Sequence, residues 1–322
     1  MTQQPVVYAI HENPDWFGPF ADALDAEGVP YVEWLLVGGV LDLDEQPPPG
    51  VFWSRFSASS HTRGHGLSKD HTRSVLSWAE AAGRRTVNGR SVLELEVSKV
   101  AQLTALRAAG IDVPRTVAVI GSAGLVAAAR RFGGPFVTKH NQGGKGLGVH
   151  RFDDADQLAE HVASPAFEEP VDGITLLQEY VQPADGTITR VELVGGELVY
   201  AIRADTTAGG FQLCPADACA VGPDGRPVAP PGALRAPEPG EQIFSLREDV
   251  DGLPVGRYVA FLAAHRIEVA GVELIEAADG RVVTYDVNTN TNYNAAVEAV
   301  APRSGPRQVA RLLGSLLERE TP

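Results

Sequence analysis

Residues 271–288 read GVELIEAADGRVVTYDVN. Two runs of alternating apolar residues, GVELIEA and VVTYDVN, flank Asp279-Gly280, a dipeptide that favours the tight turn of a β-hairpin. Successive strand side chains point to opposite faces, so Asp286 and Asn288 share a face and pairing about the turn sets Glu273 opposite them. Val272, Leu274, Val283, Tyr285 and Val287 alternate against this polar set and are expected on the core face. Two carboxylates and an amide oxygen suit Mg2+ or Mn2+, which take few protein carboxylates and complete their shell with water and substrate phosphates. Buried without a cation, two carboxylates this close would repel and drive a pKa up. Glu273, Asp286 and Asn288 are therefore the candidate metal ligands.

Upstream, FVTKH (136–140) reads as a strand and leads through QGGKGLG (142–148) into another, VHRF (149–152). A dinucleotide fingerprint must open a helix, and a Walker A loop needs Ser or Thr after its lysine. Here a strand follows and Lys145 precedes Gly146, so neither fits. What remains is a glycine-rich hairpin loop, Gly144-Lys145-Gly146, which reads either as a cover folding backbone N–H groups over phosphates or as a mobile turn. Lysine is scarce, four against 23 arginines, and Lys99, Lys139 and Lys145 all fall within residues 91–165. A compact ammonium can sit between phosphate oxygens where a guanidinium imposes a planar fork. The fourth lysine, Lys69, is expected to be a solvated bystander.

Working outward, the 322 residues carry 27 Lys/Arg against 41 Asp/Glu, a net charge of −14. Residues 1–90 hold 7 basic against 11 acidic side chains, residues 91–165 hold 8 against 7, and residues 166–322 hold 12 against 23. Only the middle segment would welcome a polyanion such as a triphosphate. The acidic whole disfavours acidic carrier proteins and nucleic acid, whose phosphates call for a basic face. No apolar run approaches the ~18 residues that would span a bilayer. With two cysteines and no secretory pattern at the N-terminus, a reducing cytoplasm is the expected location.

Strand, helix, strand, loop and strand over VVYAI (6–10), 16–27, YVEWLLV (31–37) and VFWSRFS (51–57) predict a small parallel α/β domain over residues 1–90. A helix at 74–82 and a strand at 86–88 complete it. One long helix is expected over 92–109, closed by Gly110, then an extended stretch set by Pro114 and a helix over 123–132. Residues 91–165 are read as a central lid subdomain, and 166–322 as a strand-rich C-terminal subdomain carrying the metal ligands. The latter contains the hairpin TRVELVGGELVYAIR (189–203), a helix near 254–265 and a Pro/Gly-rich loop over 222–240.

Taken in order, Lys99 on a helix, PFVTK ending at Lys139, GGKGLG, LLQEYV with Gln178-Glu179-Tyr180-Val181, Thr-Arg190, Ile-Arg203, Gly271-Val-Glu273 and Tyr-Asp286-Val-Asn288 resemble the ATP-grasp superfamily. The nearest branch is the RimK-like glutamate and amino-acid ligases, and the resemblance runs from about residue 86 to 300. It implies an ATP-grasp fold, α/β and α+β, with two α+β subdomains gripping ATP behind a small α/β N-terminal domain. It further implies that Lys99 and Lys139 contact phosphates, that Gly144, Lys145 and Gly146 close over them, and that the backbone of Gln178, Glu179, Tyr180 and Val181 holds adenine. By the same resemblance Arg190 and Arg203 face the reacting phosphate and carboxylate, and Glu273, Asp286 and Asn288 bind two Mg2+. The chain departs from the pattern at Ile188, where the branch usually has Asp, and at Gln212-Leu213-Cys214, where an Arg-x-Asn grip is common. A run from Thr289 to Asn294, TNTNYN, replaces the small residues and Pro-Gly that usually follow the metal asparagine.

The activity implied is ATP- and Mg2+-dependent joining of a small carboxylate to a small amine, an amino acid or short peptide, through an acyl phosphate. Asn290 reads as a substrate contact, and Arg55 and Arg63 as forks for a substrate carboxylate. A nucleotide-binding regulator and a phosphotransferase on the same fold are the alternatives, and a homo-oligomer is left open. His61, His65 and His71 read as a polar loop edging the substrate cleft rather than a metal site. Cys214 and Cys219 read as loop thiols or a redox pair, without the second ligand pair zinc would need.

Overall fold

A computed structural model describes residues 4–144, 146, 148–209 and 243–320. Lys145, the cysteines and the Pro/Gly-rich loop of the sequence reading lie outside these residues. The first sheet is parallel, with order β2-β1-β3-β4, from β1 (Val6–His11), β2 (Tyr31–Leu35), β3 (Gly50–Ser54) and β4 (Arg85–Val87). Its central strands are apolar on both faces, as a parallel sheet covered on both sides requires. Val7, Ala9, Val51 and Trp53 pack against α1 (Gly18–Ala26) and the C-terminal α10 (Gly305–Glu320), whereas Tyr8, Ile10 and Phe52 meet α2 (Ser68–Ala81). The helix expected from residue 74 thus starts at Ser68, and α10, an element with no counterpart in the expectations, returns the chain's end to its beginning.

The single helix expected over 92–109 is two, α3 (Arg90–Glu96) and α4 (Lys99–Ala108). Ser98 breaks it: its backbone is extended and its side chain accepts from the Ala101 N–H, a cap that offsets an orphan donor at the new helix start. The apolar spacing continues across the break, which is why periodicity alone missed it. The cap matters for the site because it makes Lys99 the first residue of α4.

The second sheet, order β5-β8-β6-β7, is antiparallel and built from β5 (Thr116–Ile120), β6 (Phe136–His140), β7 (His150–Phe152) and β8 (Ile174–Glu179). It therefore takes a strand from beyond residue 165. Helices α5 (Leu125–Phe132) and α6 (Ala155–Val162) cover one face through Leu125, Ala129, Phe132 and Leu158.

The third sheet runs β11-β10-β9-β12-β13, from β9 (Thr187–Val194), β10 (Glu197–Asp205), β11 (Phe244–Arg247), β12 (Val269–Glu276) and β13 (Val282–Asn288). Gly195 and Gly196, at φ 61° and 82°, supply the left-handed pair that a tight hairpin between β9 and β10 needs. Val191, Leu193, Val272 and Leu274 pack beneath α8 (Val255–Ala264) and α4. Two short helical turns, α7 (Thr206–Gly209) and α9 (Ala295–Glu298), complete the described elements. Along the outer edge of β13, Gln102 of α4 donates to the Val287 carbonyl at 2.7 Å and accepts from its N–H at 2.8 Å. This side chain stands in for a neighbouring strand and fixes α4 against β13. Among the described residues no helix is long and apolar enough to cross a membrane.

Candidate functional site

A cleft of about 1350 Å3, open to solvent, receives Lys99, Lys139, Gly144, Gly146, Gln178, Glu179, Tyr180, Val181, Glu273, Asp286, Asn288 and Asn290 from the sequence-predicted set. Glu273 pairs directly with Asp286, and Gly271 with Asn288, so the hairpin brings the three oxygen ligands together as its alternation foretold. The apolar half of that expectation needs correcting. A β-bulge sets Leu274 opposite Thr284 and leaves Tyr285 as the extra residue, which inverts the alternation beyond it. Val287 stays in the core under α8, but Val283 packs on Val181 and Tyr285 lines the cleft.

Burial raises the pKa of Glu273 against the pull of the Arg190 guanidinium, and the neighbouring Asp286 charge adds to the rise. Asp286 is held low: against the cost of burial, the Lys99 ammonium sits 2.6 Å away and Lys139 adds to its field. Among the described residues no group of three or more His, Cys, Asp or Glu side chains could hold a metal. The set here is two carboxylates and one amide oxygen, the sparse oxygen environment that fits Mg2+ and leaves coordination positions for phosphates.

Lys139, on β6, has no ion pair among the described residues; its ammonium lies 4.7 Å from the centre of the Tyr285 ring. Burial, then repulsion from Lys99, lowers its pKa to about 8. Two ammonium groups close enough to feel each other, in a buried cleft, are arranged for a polyanion. A nucleotide that needs the charged lysine should bind with constant affinity below pH about 8 and progressively more weakly above it. Titration calorimetry with ADP across pH 6.5–9.5 checks this. Lys139→Met should weaken binding by about 1–3 kcal/mol and flatten the profile, and an unchanged profile would contradict the assignment.

The four predicted arginines lie elsewhere than expected. Arg190 is 3% exposed and does not line the cleft. Its Nε donates to Glu192 at 2.6 Å, one Nη to Glu273 at 2.8 Å and the other to Thr291 Oγ1 at 2.5 Å. It braces the Glu273 carboxylate from behind. Gly271 permits this, because a Cβ there would come within 2.5 Å of the guanidinium. Arg203 pairs with Thr189 and, by alternation, shares the face of Ala201, opposite to Ile188 and Arg190. Arg55 is 4% exposed, stacks 3.9 Å from the Phe20 ring, and donates to the Trp16 carbonyl, the Thr291 carbonyl and Asn292 Oδ1. It ties the first sheet to the segment after β13 rather than clamping a substrate. Arg63 is paired with Glu12 and Ser59. Both expected forks follow from residue type alone, and tertiary partners have consumed them.

Lys69 is not the bystander expected: it donates to Gln142 Oε1 at 3.0 Å, just before the glycine loop. Within that loop Gly148, at φ 66°, lies so close to His140 that a Cβ would come within 2.2 Å of the ring. In the Gln178–Val181 segment the Glu179 carboxylate is paired with Arg281 at 2.9 Å, and the Val181 N–H has no hydrogen-bond acceptor among the described residues. Ser57 and Ser59, from the segment leading into the histidine-rich loop, line the opposite end with Trp16 and Asn292. Glu96, at the end of α3, also faces the cleft and escaped the sequence reading, since it sits inside what looked like a continuous helix.

No protein-family model matches the chain. Beta-citrylglutamate synthase B of Danio rerio is 25% identical over 238 residues, 72% of this chain and 51% of the relative. The chain thus spans about half the length of the curated relative it matches. The RimK domain protein ATP-grasp from Sphaerobacter thermophilus superposes with a TM-score of 0.63 at 16% identity, over 95% of this chain and 98% of its own. The ATP-grasp ligase PsnB, solved with a minimal precursor, Mg and ADP, also gives 0.63 at 16% identity, over 98% and 99%. At such identities these superpositions speak to the fold: a parallel α/β sheet followed by two antiparallel sheets.

Proposed function

We propose that this chain, which has the ATP-grasp fold and is similar to RimK-like relatives, is an ATP- and Mg2+-dependent carboxylate:amine ligase acting through an acyl phosphate. The observation that carries the reading is the meeting of Lys99 and Lys139 with Glu273, Asp286 and Asn288 in one cleft. Lys99 and Lys139 hold the nucleotide's phosphates, with Gly144 and Gly146 above them, and the Val181 N–H faces adenine. Glu273, Asp286 and Asn288 hold Mg2+, which when bound offsets charge on the transferred phosphoryl group. Arg190, engaged by Glu192, Glu273 and Thr291, keeps Glu273 in place instead of touching substrate.

In the reaction a donor carboxylate oxygen attacks the γ-phosphorus and ADP leaves. The acceptor nitrogen then attacks the acyl carbon, forming the amide as the C–O bond to phosphate breaks. The acceptor is a small amine, an amino acid or a short peptide, because a −14 chain repels acidic carriers and nucleic acid at physiological salt. The PsnB complex is of a precursor on the same fold, which supports the peptide option. The reaction is placed in a reducing cytoplasm. Incubation with ATP, Mg2+ and amino acids, singly and in pairs, should release ADP and phosphate. AMP and pyrophosphate would mean an adenylating enzyme, and no nucleotide consumption with any substrate would favour a regulator.

A further inference from the structure

Glu96 is a cleft carboxylate that the nucleotide and metal assignments leave unused. Its Oε2 accepts from the Thr289 N–H at 2.8 Å and the Thr289 hydroxyl at 2.7 Å, while among the described residues Oε1 has no hydrogen-bond donor. The next residue along, Asn290, is 6% exposed in the cleft wall, and its Oδ1 is buried without a partner. A buried amide oxygen left unpaired is costly, so this one is arranged for a donor that arrives with a ligand. Asn290 is held in register with the metal site, since its N–H donates to Asn288 Oδ1 at 2.9 Å. Trp16, Ser57, Ser59 and Asn292, all uncharged, line the same cleft. Of the cations around them, Lys99 feels the Glu96 charge but is ion-paired with Asp286, Arg63 is held by Glu12, and Arg55 by Trp16, Thr291 and Asn292. A carboxylate oxygen and an amide oxygen, both without a hydrogen-bond donor among the described residues, match an ammonium group and repel a carboxylate.

We propose that Glu96 and Asn290 Oδ1 hold the ammonium group of the acceptor, making this end of the cleft the subsite that selects a cationic amine. The inference rests on the ligase reading and names the substrate class of that site. On attack the C–N bond forms and the C–O bond of the acyl phosphate breaks, its electron pair leaving with phosphate. Before attack the ammonium gives one proton to water, which frees the nitrogen lone pair, and its second surplus proton passes to the departing phosphate.

Hydroxylamine, uncharged at neutral pH, attacks acyl phosphates without needing an ammonium site, so it separates acceptor recognition from activation. With the amino-acid pair giving most ADP release, the ratio of amino-acid-dependent to hydroxylamine-dependent turnover is measured for wild type, Glu96→Gln, Glu96→Asp and Asn290→Ala. Glu96→Gln should lower the ratio at least tenfold, chiefly through the acceptor's KM. Asn290→Ala should lower it less, and Glu96→Asp should recover part of it. A ratio within twofold of wild type in both Glu96→Gln and Asn290→Ala overturns the subsite. Absence of hydroxamate from wild type with every donor overturns the ligase reading itself, a distinct result.

Discussion

Glu273→Gln is expected to lower ATP turnover on the order of a hundredfold or more while the protein still unfolds cooperatively. The substitution keeps volume and hydrogen-bonding shape and removes one charge. In wild type that charge lies in register with Asp286 and is shared between the cleft and Arg190. Burial strains the ionised form of Glu273 against the pull of Arg190, and the neighbouring Asp286 charge adds to that strain. A divalent cation relieves that strain, so the variant should lose metal-dependent activity first, and wild type stripped with EDTA should behave likewise. Full activity of Glu273→Gln in EDTA would remove metal from the account.

Arg190→Ala is expected to cost about 3–5 kcal/mol of folding stability, measured by urea unfolding, because it leaves a buried charge uncompensated. The guanidinium engages Glu192, 1% exposed, and Glu273, 5% exposed, and its third direction is taken by Thr291, whose hydroxyl in turn donates to Glu192 at 2.8 Å. Removing it strands two buried carboxylates, of which Glu273 lines the cleft. Arg190→Ala/Glu192→Gln should recover part of the loss, since only one stranded charge then remains. A loss below about 1 kcal/mol in the single variant would show that the guanidinium is not the centre of this network.

Much of the fold was legible in alternation and turn chemistry. The Asp279-Gly280 and Gly195-Gly196 turns located both hairpins of the third sheet, and the oxygen ligands fell on one face because side chains in a strand alternate. Legibility ended where one residue overrides a period. Ser98 caps a new helix inside an unbroken apolar pattern, and the bulge at Tyr285 carries Val283 across the sheet. The arginines mark a second limit. A guanidinium can serve a substrate or a neighbour, and only the tertiary partners of Arg55, Arg63 and Arg190 show that each serves a neighbour. Glu96 became visible as a site residue only once α3 and α4 were separate, with Thr289 folded back to meet it.

If the cleft makes an acyl phosphate, hydroxylamine will trap it. Wild-type protein is incubated with ATP, Mg2+, hydroxylamine and each amino acid in turn as donor, with no other acceptor. An acyl hydroxamate is expected, formed in step with ADP and phosphate and lost in Glu273→Gln. ADP accompanied by a stable phosphorylated compound and no hydroxamate from any donor would contradict it and make the protein a phosphotransferase.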